Sequence, residues 1–194
     1  MTARTVAGLG ARLLLDADIV YPIRVCDFIL TASTNGLLQR PIVSDTILDE
    51  ALRNVAADRP DLDPSLIKRR FANVRLATDG HGLPIPKRFV DDSIINPKDR
   101  HVIAAAEFHS VDIVVSNDRR LRREVGTWAK KSERKLVALS ADALAKRMIE
   151  HDRAAVAEVV QAMARRMNKP KRTGAEVLAA LALSLPLLRD LEGV

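Results

Sequence analysis

Four acidic residues stand where a strand or a helix start could deliver them to one place. Asp16 directly follows the apolar run Leu13–Leu15, and Glu50 lies one to two turns into a helix after Pro41–Val43. Asp99 falls in the first turn of a helix after Pro97, and Asp118 closes Ser116–Asn117–Asp118 behind Ile113–Val115. Open parallel sheets place ligands at the C-terminal ends of their strands, so a parallel sheet would gather these four at one edge. Crowded carboxylates repel and raise one another's pKa, and are stable only with protons or a cation. Oxygen donors without cysteine favour Mg²⁺ or Mn²⁺ over zinc. Asp18, at spacing two from Asp16, makes an Asp-x-Asp pair that is a weak signal alone.

Each acid also has a plainer reading. Helix N-termini favour acids, which would account for Asp99 and Asp45. Glu50 fits a solvated helix face, and Asp118 fits the cap of the helix beginning at Arg119. Asp16 resists such a reading, because an acid against a buried strand is costly unless paired or coordinated. His81, His101, His109 and His151 show no metal-ligand spacing, and the spacing assigns them structural or surface roles.

The elements that must position these acids alternate. Leu13–Leu15, Pro41–Val43, Val111–Ser116 and Leu136–Leu139 are short strand candidates, with Phe89–Ile95 a further extended piece. Helices fit Asp27–Leu38, closed by Asn35–Gly36; a segment capped by Ser44 or Asp45 and broken at Pro60–Pro64; Ser65–Leu76; and a segment from Pro97. Thr78–Pro86 reads as a loop. Short apolar strands between helices predict an α/β chain with a parallel sheet covered on both faces. After Ser140 strand signals stop. Helical patterns fill 141–168, Asn168–Thr173 is a basic break, and Thr173–Leu188 is an apolar helix with capping-box spacing from Thr173 to Glu176.

Composition narrows the function classes. The chain has 194 residues, net charge +6, 47% hydrophobic residues and one cysteine. That balance excludes a disordered chain and a disulfide framework. Aromatics are only 3%, which leaves few platforms for stacking unpaired bases. No apolar run approaches a membrane span and Met1–Gly10 has no apolar core, so a cytoplasmic protein is expected. The charge is concentrated. Residues 119–135 hold eight Lys/Arg against two Asp/Glu, a balance equal to the whole excess, whereas residues 1–97 balance to zero. A solvated helix face would explain such a run; so would a surface for a polyanion, where clustered cations release counterions from phosphates.

Taken together, the segments resemble the PIN-domain family and, within it, VapC-like toxin ribonucleases of type II toxin–antitoxin systems. LLLDADIVYP resembles the opening strand-Asp segment, PIVSDTILDEALRNV the second, and NPKDRHVIAAAEFHSVDIVVSND the long third segment. The three segments, which carry the four acid positions, occur in family order across roughly residues 11–140. NKPKRTGAEVLAALALSLP resembles a helical extension carried by a subgroup. The resemblance implies a PIN-like three-layer sandwich with a central, mainly parallel sheet at 11–150 and a helical C-terminal extension at 151–194. It implies Asp16, Glu50, Asp99 and Asp118 as catalytic and metal-binding residues for Mg²⁺ or Mn²⁺, with Ser116, Asn117 and Asp18 in support. Asp18 stands where the family usually has Asn, and Lys98 where an acid is common. Asp118 is preferred to Asn117 as the fourth ligand because a carboxylate holds Mg²⁺ better. Arg119, Arg120, Arg122 and Arg123 would bind RNA beside the metal. A cognate antitoxin and a homodimer are the implied protein partners, and no membrane partner is expected.

Two other classes remain open. A haloacid-dehalogenase-like phosphatase would use Asp16 as nucleophile and Asp18 as general acid, with Asp91–Asp92 as its distal pair. A non-catalytic nucleic-acid-binding module would need only the basic edge.

Overall fold

The structure, a computed structural model, describes residues 10–82, 84–86, 96–167 and 170–191. Its frame is a parallel sheet of β1 (Leu13–Leu15), β2 (Ile113–Val115) and β3 (Val137–Leu139), in that spatial order. Leu14 lies opposite Val114, and Val114 opposite Ala138. Beyond β1 the pairing continues as two isolated parallel bridges, Leu14 with Ile42 and Ile42 with Asp79.

Nine helices surround this frame among the described residues. They are α1 (Ala17–Val20), α2 (Ile23–Thr34), α3 (Asp45–Asp58), α4 (Pro64–Ala77), α5 (Arg100–Phe108), α6 (Arg119–Lys131), α7 (Ala141–His151), α8 (Arg153–Arg166) and α9 (Gly174–Ala182). A 3-10 turn at Pro186–Leu191 follows. The α/β class with a parallel sheet is therefore the class expected from the alternating segments.

Several boundaries differ from the sequence expectations, for local reasons. Pro41–Val43 is a single bridge instead of a strand, and the expected loop at Thr78–Pro86 contributes the bridge at Asp79. Gly80, at φ +94°, then turns the chain through a region that other residues rarely adopt. The helix expected over Asp27–Leu38 runs from Ile23 to Thr34, because Pro22 takes the N-cap position. Residues 97–99 form a turn, and α5 begins only at Arg100. The stretch 141–168 is interrupted at Asp152, which ends α7 and whose carboxylate accepts the Ala155 N–H at the start of α8. The last helix stops at Ala182 and gives way to the 3-10 turn. Its capping box is present: Thr173 N–H donates to Glu176 Oε2 at 2.7 Å, and Glu176 N–H to Thr173 Oγ1 at 3.3 Å. The expected extended piece at Phe89–Ile95 lies outside the described residues.

The core is aliphatic, as the low aromatic content requires. Leu14, Leu15, Ile19, Ile47, Ile103, Val114, Val115 and Met148 are fully enclosed. Each such side chain is worth about 1.5–3 kcal/mol relative to exposure. The C-terminal helices continue onto this body. Helix α8 packs against α2, Arg166 reaches Asp27 and Thr31, and Leu187 N–H donates to Asp142 at 2.9 Å.

All three strands point the same way, so their C-terminal ends share an edge. Asp16, Ser116 and Ser140 leave β1, β2 and β3 there, and Ser44 follows the Ile42 bridge. Ser44, Asp118 and Ser140 cap α3, α6 and α7 with their side-chain oxygens.

Candidate active site

The carboxylates are distributed along this edge, delivered by different elements. Asp16 leaves β1 with its backbone still bonded to the sheet, donating to Val115 O at 3.0 Å. It is 8% exposed, in a core that otherwise holds few charged groups. One oxygen accepts the Ala17 N–H at 2.8 Å. Burial, first, and then the charge of Asp18 push its pKa up to about 7; the nearby Ser116 hydroxyl pulls the other way, and Glu50 adds a smaller upward push.

Asp18 reaches across to β2's end from α1. Its Oδ2 accepts the Ser116 hydroxyl at 3.1 Å and the N–H groups of Asn117 and Asp118 at 2.8 Å each. Its Oδ1 is buried and has no hydrogen-bond partner. Burial raises its pKa further than those three donors lower it. Ser116, fully buried, thus adds a side-chain hydroxyl to the two N–H groups that tie the Asp18 carboxylate to the turn after β2.

The turn's own side chains are engaged. Asn117 Oδ1 accepts the Ala141 N–H at 3.2 Å, joining the turn to α7. Asp118 Oδ1 accepts the N–H groups of Arg120 at 2.6 Å and Leu121 at 3.3 Å. The capping reading of Asp118 therefore holds. It fails for Asp99, which occupies the N-cap position of α5 but makes no side-chain cap bond. Burial, then the charges of Glu124 and Asp118, raise the Asp99 pKa, while His101 and Arg120 oppose them.

Glu50, half-buried on α3, faces His101 of α5. His101 Nε2 stands 3.1 Å from Glu50 Oε2 at an angle that makes no hydrogen bond, so the contact is ionic only when the ring is protonated. The ring's Nδ1 lies 2.8 Å from Lys98 O; a carbonyl only accepts, so that nitrogen carries a proton. The sequence reading gave His101 a structural or surface role and no part in the site. Its signal was invisible there, because its partner sits on another helix.

Glu124 is the second residue that sequence reasoning missed. Its Oε1 accepts Arg120 Nε at 2.8 Å and its Oε2 accepts the Asn96 N–H at 3.0 Å. Burial pushes its pKa up, but the Asn96 N–H and Arg120 outweigh it and hold it below the ordinary value. Surrounded by arginines in the sequence, it reads only as a minor exception within a basic run.

The four candidate arginines separate into two kinds. Arg120 is tied to Glu124, and Arg122 donates to Ser116 O at 2.6 Å. Arg119 and Arg123 are exposed and have no ion pair among the described residues.

The acids influence one another in sequence around the edge: Asp16 with Asp18 and Glu50, Asp18 with Asp118, and Asp118 with Asp99. Among the described residues no three His, Cys, Asp or Glu side chains stand together as a ready cage for a metal ion. The donor set nonetheless fits Mg²⁺ or Mn²⁺. Mg²⁺ usually takes one or two carboxylates and keeps several waters. Asp16 and Asp18 offer such a pair, with a buried Asp18 oxygen that no donor satisfies. Asp91 and Asp92 lie outside the described residues. Among the described residues, no helix is long and apolar enough to cross a membrane. Comparison with family models, with curated proteins and with solved structures gave no match for this chain.

Proposed function

We propose that this chain is a divalent-metal-dependent endoribonuclease with a PIN-like three-layer fold, acting as the toxin of a toxin–antitoxin pair. The observation that carries the reading is the Asp16–Asp18 pair. Two carboxylates share a buried corner, one pushed up to about 7, the other with a buried oxygen that nothing satisfies. Such a pair calls for a cation.

Asp16, Glu50, Asp99 and Asp118 would hold Mg²⁺ or Mn²⁺, with Asp18 beside Asp16. An ion held there would supply a water of lowered pKa and neutralise charge on the scissile phosphate. Ser116, with the Asn117 and Asp118 N–H groups, holds the Asp18 carboxylate in place at the end of β2. Asp118, fixed by two N–H groups of α6, holds a constant position while substrate enters. Glu50 is balanced by His101 when the ring is protonated, which limits repulsion in the empty pocket.

RNA approaching an acidic pocket needs cations nearby. Arg119 and Arg123 are free to meet phosphates immediately after the last acid, and Arg120 and Arg122 contribute charge while held to the protein. Backbone recognition of this kind suits a chain with few aromatic side chains. The cognate antitoxin and a second copy of the chain are the proposed protein partners, in a cytoplasmic setting.

The test is RNA cleavage by the full chain with Mn²⁺ or Mg²⁺, with and without EDTA, and by Asp16→Asn and Asp99→Asn. The reading expects cleavage that needs the ion and both carboxylates. Cleavage that survives EDTA or either substitution contradicts it. RNA binding that persists in Asp16→Asn, with no cleavage by either form, points to the binding module.

A further inference from the structure

Asp99 is tied to its own helix only through its backbone, where Val102 N–H donates to Asp99 O at 3.0 Å, and its side chain has no such support. It occupies the N-cap position of α5 without a side-chain cap bond. The turn that carries it is short: Asp99 N–H donates to Asn96 O at 2.9 Å, and Lys98 N–H to Asn96 Oδ1 at 3.4 Å. Both bonds close within the turn and neither anchors it to the body of the protein.

The anchor comes from α6. Glu124 reaches from the second turn of that helix and accepts the Asn96 N–H at 3.0 Å. Among the described residues this is the one hydrogen bond that ties residues 96–99 to an element outside their own turn and α5. Its other oxygen is taken by Arg120, one turn back on the same helix. The Glu124 side chain is only 16% exposed whereas Arg120 is 60% exposed. A mostly enclosed carboxylate bonded to a backbone N–H is a stronger restraint than an exposed pair at spacing i,i+4. Asp118 sits at the start of the same helix, so the third and fourth acids of the site are linked through Glu124.

We propose that Glu124 is a positioning residue that braces the Asn96–Asp99 turn against α6 and thereby sets the spacing of Asp99 from Asp118. The inference rests on the metal-site reading and deepens it. Glu124 would touch neither metal nor RNA. It acts through Asp99, and its negative charge adds to the field that a divalent cation meets. It also holds Arg120, which removes that arginine from the freely mobile cations of the basic edge.

The experiment compares the full-length wild type with Glu124→Gln, Glu124→Ala and Asp16→Asn. Mn²⁺ binding is read by calorimetry, and amide exchange is followed in the peptide containing Asn96. Gln keeps an oxygen that can accept the Asn96 N–H; Ala does not. Glu124→Ala is expected to speed Asn96 exchange and to weaken Mn²⁺ binding about tenfold, the low end for residues that orient ligands. Glu124→Gln is expected to restore slow exchange and most of the Mn²⁺ affinity. The brace is overturned if Ala binds Mn²⁺ within about twofold of wild type, or if Gln is no better than Ala. Should the Ala variant fail to fold, Gln alone decides: a loss beyond about tenfold would mean that charge, not the brace, matters. Wild-type-like Mn²⁺ binding by Asp16→Asn fails the metal-site reading itself. Loss of binding there, with Glu124→Ala unaffected, fails only the brace. A wild type that binds no Mn²⁺ overturns both.

Discussion

Asp16 and Asp45 begin alike and end differently. Asp16 directly follows β1 and Asp45 stands three residues after the Ile42 bridge, and both stand at the start of a helix. Asp45 is served by Arg75 at 2.5 Å, by the Gly82 N–H at 2.8 Å and by His81 at 3.3 Å. Burial works against its charge, but those donors outweigh it and hold its pKa below the ordinary value. Asp16 is more deeply placed and has one N–H donor, an acidic neighbour and no cation, and its pKa is pushed up to about 7. The difference teaches that neither an acid nor its burial marks a site. What marks Asp16 is a charge left without compensation, which protein interiors rarely tolerate without a functional return. Asp45 shows the structural solution to the same problem at the start of α3.

The largest expected effect follows from breaking this contrast at the chemistry. Asp16→Asn should lower RNA cleavage by a factor of about 10³ or more, the scale on which a charge-stabilising group acts at a transition state. Asp45→Asn should leave cleavage within about twofold, since its bonds hold α3, α4 and the Gly82 turn together. Its cost should be in stability, about 1 kcal/mol by denaturant unfolding after discounting for its partial exposure. Equal losses of cleavage from both substitutions would erase the distinction.

Stability against pH sharpens it. An acid whose pKa is raised in the folded state binds its proton more tightly there than in the unfolded chain. The metal-free protein is therefore expected to lose stability as pH rises from about 4, the ordinary value for an aspartate, to about 7, and to lose no more from this group above that. Asp18 adds in the same direction. Asp45 has the opposite sign: its contribution is present above the ordinary carboxylate pKa and is lost only in stronger acid. Asp16→Asn should flatten the profile between pH 4 and 7 and make the metal-free protein more stable at pH 8, by on the order of a few kcal/mol. Unfolding curves across pH check this directly, and a wild-type profile that rises over that window would be inconsistent with an uncompensated Asp16.

The smallest effect concerns the basic edge. Removing both Arg119 and Arg123 should reduce the salt slope of RNA binding by about 1.4, from two single-strand phosphate contacts. Removing Arg122, whose guanidinium is held by Ser116 O, should change the slope less. A larger change from Arg122 would mean that its bond to the turn breaks when RNA binds.

Much of this architecture was legible because its signals are local. Leu13–Leu15 and Ile113–Val115 are compact aliphatic runs, and β-strands of this kind need no distant information. The unease about Asp16 was also legible, since an acid adjoining a buried run must be explained. Other features depend on pairings that no local pattern reports. Glu50 meets His101 from another helix, and Glu124 meets Asn96 across the turn before α5. The break at Asp152 was hidden because good helix formers flank it on both sides, and only the cap that Asp152 makes for α8 reveals the new start. The basic run looked uniform, yet Arg120, Arg122 and Arg134 are bound to the protein, while Arg119 and Arg123 make no ion pair among the described residues. Ile42 and Asp79 pair through single bridges, too brief to leave a strand signature.

The central claim is that Asp16 and Asp18 leave room for a cation that the protein itself does not supply. Calorimetric titration of Mn²⁺ into the metal-free full chain tests it, run near pH 6.5 in buffers of different ionisation enthalpy. The account predicts saturable binding that releases protons, because Asp16 is still partly protonated there, and loss of that binding in Asp16→Asn. Binding unchanged in Asp16→Asn, or no binding by the wild type, would contradict it.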